Sequence, residues 1–136
     1  MTTTYTRDYW ESALSSLKLE GRLFIEGDYR PAQSGETFTR PRPMDGKPGV
    51  ALARGVGVDI DAAVASARAA FESGVWRKKE PLEKKKIMLR WAELIRAHAE
   101  ELAMLETLDV GKPVLASLNV DVRLSLIHIS EPTRPY

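Results

Sequence analysis

The chain has 136 residues, room for one modest domain, and is 43% hydrophobic and 29% charged, the proportions of a soluble globular protein and not of a disordered or fibrous one. Twenty Lys plus Arg against nineteen Asp plus Glu leave a formal net charge of +1, so the global field neither draws in nucleic acid nor repels it. Cysteine is absent and histidine occurs only as His98 and His128, which excludes disulfides and a thiol nucleophile within these residues and leaves almost no material for a zinc cluster or a histidine-based triad.

Met1 to Trp10 lacks the apolar core of a signal peptide, and no later run approaches membrane-spanning length, so the cytoplasm is the expected address. From Asp8 to Lys18 the residues Trp10, Leu14 and Leu17 fall at helical spacing, with Asp8 as the expected cap and Gly21 as the expected stop. Leu23-Phe24-Ile25, then Gly27-Asp28 and Tyr29, read as a hairpin. Ala32 to Gly49 is punctuated by Gly and Pro, with Thr37-Phe38-Thr39 its one strand-like stretch, and Val50 to Arg54 supplies another apolar strand.

A helix is expected from Asp59 as N-cap, with Ile60, Ala63, Val64, Ala67, Ala70 and Phe71 on one stripe and Gly74 as its stop. A second starts at Pro81, with Ile87, Met88, Trp91, Leu94 and Ile95 on its stripe and Met88 and Trp91 assigned to the core. A third runs from about His98 to Asp109 with Leu102, Leu105 and Leu108 inward, closed by Gly111 and Pro113. Short strands without partners leave backbone groups unsatisfied, and the apolar stripes are wide for so small a body. Both features fit a segment of a larger domain.

Several pieces then resemble one family, in its order and spacing. Phe24-Ile25-Glu26-Gly27-Asp28-Tyr29 is similar to the hairpin that opens many aldehyde dehydrogenases. Ser34-Gly35-Glu36-Thr37-Phe38 follows, then Pro43-Met44-Asp45-Gly46, Asp59 to Val64, Ala67 to Phe71, and Trp76. The most specific piece is Glu100-Glu101-Leu102-Ala103 leading into Leu105-Glu106-Thr107-Leu108-Asp109-Val110-Gly111-Lys112-Pro113. Tyr9-Trp10, Arg22 and Leu23 add a likeness to the bacterial branch that oxidises γ-glutamyl-γ-aminobutyraldehyde and related aminoaldehydes in polyamine degradation.

The resemblance implies an α/β parent with a Rossmann-like cofactor domain, of which residues 1–122 are the incomplete N-terminal α+β portion: three to four amphipathic helices with a hairpin and short strands. It implies oxidation of an aldehyde to a carboxylate with NAD or NADP, by a homo-oligomeric parent. The nucleophilic cysteine, the base glutamate and the cofactor motifs would all lie later than this chain. No catalytic or cofactor-binding residue is therefore expected here, and no bound cofactor. The family also often holds a monovalent cation, which would map to Asp109 with the backbone carbonyls of Arg40 and Pro41, although Pro41 replaces an ordinary residue. The plainer reading of Asp109, favoured on the residues alone, is a carboxylate hydrogen-bonded locally near a helix end. The rival to a fragment is a small free-standing module of the family that binds another protein through its apolar stripes.

After Val122 the likeness breaks off. Leu124 to Arg134 is similar, codon for codon, to a translated transposase-type sequencing adapter, so residues 123–136 are expected to be a non-native tail. The alternative is a genuine strand through Leu124, Leu126, Ile127 and Ile129. The basic cluster Arg77, Lys78, Lys79, Lys84, Lys85 and Lys86 is broken by Glu80 and Glu83 and carries no interleaved aromatics, so a solvated helix start is expected and nucleic acid is not an expected partner. His98 sits where an imidazole can cap a helix, and Glu106 and Lys112 read as surface or packing residues. Gly55-Val56-Gly57 lacks the third glycine of a dinucleotide fingerprint, since Ile60 stands there.

Overall fold

The computed structural model describes residues 5–130. Its architecture is α+β: α1 (Arg7–Ser16), a hairpin of β1 (Leu23–Ile25) and β2 (Asp28–Arg30), a second hairpin of β3 (Thr37–Pro41) and β4 (Pro48–Ala53), then α2 (Gly57–Ser73), α3 (Pro81–Ala97) and α4 (Ala99–Val110). A last helical run joins α5 (Val114–Ala116), a π-helical segment (Ser117–Asp121) and α6 (Val122–Ser130).

Three helix boundaries differ from the sequence reading, each because a different group supplies the cap. In α1 the cap is Thr6, whose hydroxyl accepts the Tyr9 N–H at 3.2 Å, while Asp8 lies inside the first turn. That helix stops at Leu17, so Gly21 does not terminate it. Asp59 caps α2 from its third position and not as the N-cap, which is Val56: its carboxylate accepts the Val56 N–H at 2.9 Å. The same carboxylate takes the Gln33 N–H at 3.0 Å, tying the helix to the loop after the first hairpin. His98 serves both helices it separates, closing α3 with a backbone bond to Leu94 and opening α4.

The first hairpin forms as expected, but its turn is Glu26 and Gly27, both at positive φ, and Asp28 opens β2 opposite Ile25 instead of lying in the turn. The two later strands, read as partnerless, are each other's partners: Thr37 faces Ala53, Phe38 faces Leu52 and Thr39 faces Ala51, with an irregularity before Pro41 meets Pro48. Outside β4, the Gly21 carbonyl accepts the Ala53 N–H at 2.7 Å. The chain between α1 and β1 thus lies on β4 so closely that a Cβ on Gly21 would sit 2.0 Å from the Ala51 oxygen. Close approach, and not helix termination, is what requires glycine here.

The interior is thin. Among the described residues the buried apolar side chains are Ile25, Ala32, Ala92, Ala103, Met104 and Val122. Most are small, because α3, α4, the π segment and α6 meet through their narrow faces. Trp91, assigned to the core by spacing, is 51% exposed, and its neighbour Met88 is only half-buried. Likewise α4 turns Ala103 and Met104 inward and leaves Leu102 at the surface. The stripe of α2 is in water: Ile60, Val64 and Phe71 are all exposed, Phe71 by 62%. Of the other elements that helix meets chiefly β1.

The strand reading of the tail is overturned over Val122–Ser130, which is helical and packs on α3. Helix suits it because α6 simply continues the run begun at Val114, and the Ser125 hydroxyl donates back to the Asp121 carbonyl at 2.9 Å. Residues 131–136 of the tail lie outside the described residues.

Candidate functional site

A cleft of 470 Å³ opens between the second hairpin and α4. Its apolar walls are Leu19, Val50 and Leu52 on one side and Leu102, Leu105 and Leu108 on the other. Charged groups stand at its edge: Glu20, Arg40, Arg42, Glu106 and Asp109. The helix side is fixed by Gly111, which ends α4 at φ +79° and lies so close to Pro43 that a Cβ would meet the ring at 2.9 Å. The opposite wall depends on the Gly21 contact with β4.

All three residues of the expected cation site line this cleft. The Arg40 guanidinium donates to the Asp109 carboxylate at 2.7 Å, joining β3 to α4 across 69 residues of sequence. Pro41 pairs with Pro48 at the irregular end of the hairpin, and the Arg40 carbonyl lies against Gly49. Sequence reasoning placed Arg40 here for its backbone oxygen; its side chain went unread because nothing in the residue pattern brings position 40 to position 109. Arg42, which also lines the cleft, pairs with Asp45, and among residues outside its lining Lys112 pairs with Asp121 on the π segment. Among the described residues no three His, Cys, Asp or Glu side chains cluster as metal ligands would.

Glu20 holds Arg22 through two parallel bonds, at 2.9 Å to Nε and 2.6 Å to Nη2, and also accepts the Arg22 N–H. The Arg22 side-chain bonds, more than any other cause, hold its carboxyl down at about 2. Because the folded value lies below the ordinary one, this contribution is present above pH 4.5 and is lost as the pH falls from there to about 2. An NMR titration is expected to give the Glu20 carboxyl a midpoint of about 2, and Arg22→Gln should return it toward the ordinary carboxylate range.

A second constellation anchors α1. Tyr5 donates to Glu100 at 2.9 Å, Tyr9 donates to the other oxygen of the same carboxylate, and Trp10 stacks on Tyr5 at 5.0 Å between centroids. Hydrogen bonding to Glu100 pushes both phenols above their usual range. No residue spacing marks this clasp, which joins residues about ninety positions apart. The basic cluster is partly self-capped: Lys84 donates to the Arg77 carbonyl at 3.0 Å and Lys78 lies 3.5 Å from the Ser73 carbonyl, while Arg77 lies over Phe71.

Compared with known proteins, residues 29–131 match the aldehyde dehydrogenase family. The chain is 46% identical over 114 residues to the NADP/NAD-dependent aldehyde dehydrogenase PuuC of Escherichia coli (strain K12), covering 84% of this chain and 23% of that protein. Its fold superposes on indole-3-acetaldehyde dehydrogenase AldA from P. syringae, solved with NAD+ and IAA, at a TM-score of 0.89 and 46% identity, over 94% of this chain and 26% of that one. The gamma-glutamyl-gamma-aminobutyraldehyde dehydrogenase of Burkholderia cenocepacia J2315 gives a TM-score of 0.87 at 42% identity, over 91% of this chain and 25% of that one. Hairpins, helices and signature segments thus belong to one fold, that of an α/β dehydrogenase. The chain belongs to the aldehyde dehydrogenase family and spans about a quarter of the length of these relatives.

Proposed function

We propose that this chain is the N-terminal portion of the cofactor-binding domain of an NAD(P)-dependent aldehyde dehydrogenase and does not oxidise aldehydes by itself. The observation that carries the reading is the exposed stripe of α2. A seventeen-residue helix with Ile60, Val64 and Phe71 in water gains little from tertiary packing, which is where most helical stability in proteins comes from. The chemistry points the same way, because thiolate attack on an aldehyde needs a cysteine and this chain has none. In the parent the substrate would be an aldehyde of the aminoaldehyde class, as the name of the γ-glutamyl-γ-aminobutyraldehyde relative suggests. The parent would take NAD or NADP, assemble as a homo-oligomer and work in the cytoplasm. Among the described residues no helix is long and apolar enough to cross a membrane.

The purified chain, given NAD+ or NADP+ and an aminoaldehyde, is expected to form no reduced nicotinamide. It should also bind a hydrophobic dye, self-associate and melt without a cooperative transition. A monomer with a sharp transition would instead establish the rival, a free-standing interaction module.

Residues 123–136 we propose to be adapter-derived, on the codon match from Leu124 to Arg134. A helix over Val122–Ser130 is compatible with that origin, since Leu126 and Ile129 follow Val122 by four and seven residues and so share its inward face. Resequencing the locus tests it: a genomic read that keeps these codons beside a stop would overturn the proposal.

A further inference from the structure

Where the family fold implies a monovalent cation beside Asp109, the structure offers a different positive charge. The carboxylate Oδ1 accepts from Arg40 Nη2 at 2.7 Å, and the pair spans the rim of the cleft from β3 to α4. A hard cation needs a shell of oxygen donors free to turn toward it. Here Asp109 already meets a guanidinium, which is a planar donor with no capacity to coordinate and which stays charged at any pH the protein experiences. The backbone supports the same conclusion. Arg40 and Pro41 sit at the irregular end of the hairpin, where Pro41 faces Pro48 and the Arg40 carbonyl lies so near Gly49 that a Cβ there would come within 2.9 Å. The donor set does not fit the family's ion.

We propose that in this chain the Arg40 side chain replaces the monovalent cation, neutralising Asp109 and bracing β3 against α4 without an ion. The proposal rests on this pair and on family membership, and it is tested where the Ala53 amide stays protected, so that the hairpin bearing Arg40 is in place whether or not the helices melt cooperatively. Asp109 is 72% exposed, so the pair is screened by salt and acts chiefly by occupying the carboxylate and repelling a second positive charge. Glu106, one turn earlier, lines the same cleft, which is why the test must assign any bound ion to Asp109.

Sodium NMR line broadening, measured against choline chloride at matched ionic strength, reads the exchange directly and needs no activity. The unmodified chain is expected to broaden the sodium line no more than Asp109→Asn does. Arg40→Gln should broaden it severalfold, and adding Asp109→Asn to that variant should abolish the gain, while Glu106→Gln should leave it. Specific broadening by the unmodified chain that Asp109→Asn removes would overturn the proposal. So would an Arg40→Gln variant that gains nothing, or one whose gain survives loss of Asp109.

Discussion

Gly21→Ala is expected to detach the segment between α1 and β1 from the second hairpin. The new methyl would lie 2.0 Å from the Ala51 oxygen and 3.0 Å from its carbonyl carbon, and both are backbone atoms that no rotamer change can move aside. Overpacking of this kind costs about 1–3 kcal/mol, which amounts to roughly a 5- to 150-fold increase in local opening. The site of the loss is defined: the Ala53 N–H now held by the Gly21 carbonyl at 2.7 Å should exchange faster by that factor. Leu19 and Glu20, neighbours in sequence, would leave the cleft wall with it. Gly57→Ala is the control, since nothing lies within 4 Å of a Cβ there. Unchanged protection at Ala53 in Gly21→Ala would show that the close approach is not what holds this segment.

The second large effect is expected at Asp59, which is only 7% exposed and carries two backbone donors from different parts of the chain. Asp59→Ala leaves the Val56 and Gln33 N–H groups without their acceptor, at a cost of about 1–3 kcal/mol for the stranded donors. Its negative charge in the first turn of α2 also complements the positive end of the helix, and that too is lost. The consequence reaches the whole helix. With its apolar stripe exposed, α2 is held mainly by this first turn, so far-ultraviolet circular dichroism should fall along with protection at Gln33 and Val56. Asp59→Asn keeps one acceptor oxygen and should lose less. A variant with Ala at this position that kept full helicity would place the anchor of α2 elsewhere.

Both predictions concern the frame of the fold and not its chemistry. The chain spans about a quarter of the length of its relatives, and Phe71 and Trp91 are among the apolar side chains it leaves exposed. The Arg40–Asp109 pair joins β3 to α4 at the rim of the cleft between them.

The sequence by itself determined the elements whose signals are local. Pro81 opening α3, Gly74 and Gly111 ending α2 and α4 in the left-handed region, and a hairpin bent around Gly27 all depend on the conformations of single residues and their neighbours. It also determined the family, because the signature segments stand in the family's order along the chain. Burial was less legible. Helical spacing marks which side chains share a face, but whether that face meets protein or water depends on the rest of the fold, so Trp91 and Leu102 were assigned inward and stand exposed. Only the tertiary structure decided the long-range pairings: β3 with β4 outside Gly21, Asp59 with Gln33, Glu100 with Tyr5 and Tyr9, and Arg40 with Asp109. Each joins groups by distance in space, a quantity that residue periodicity does not encode.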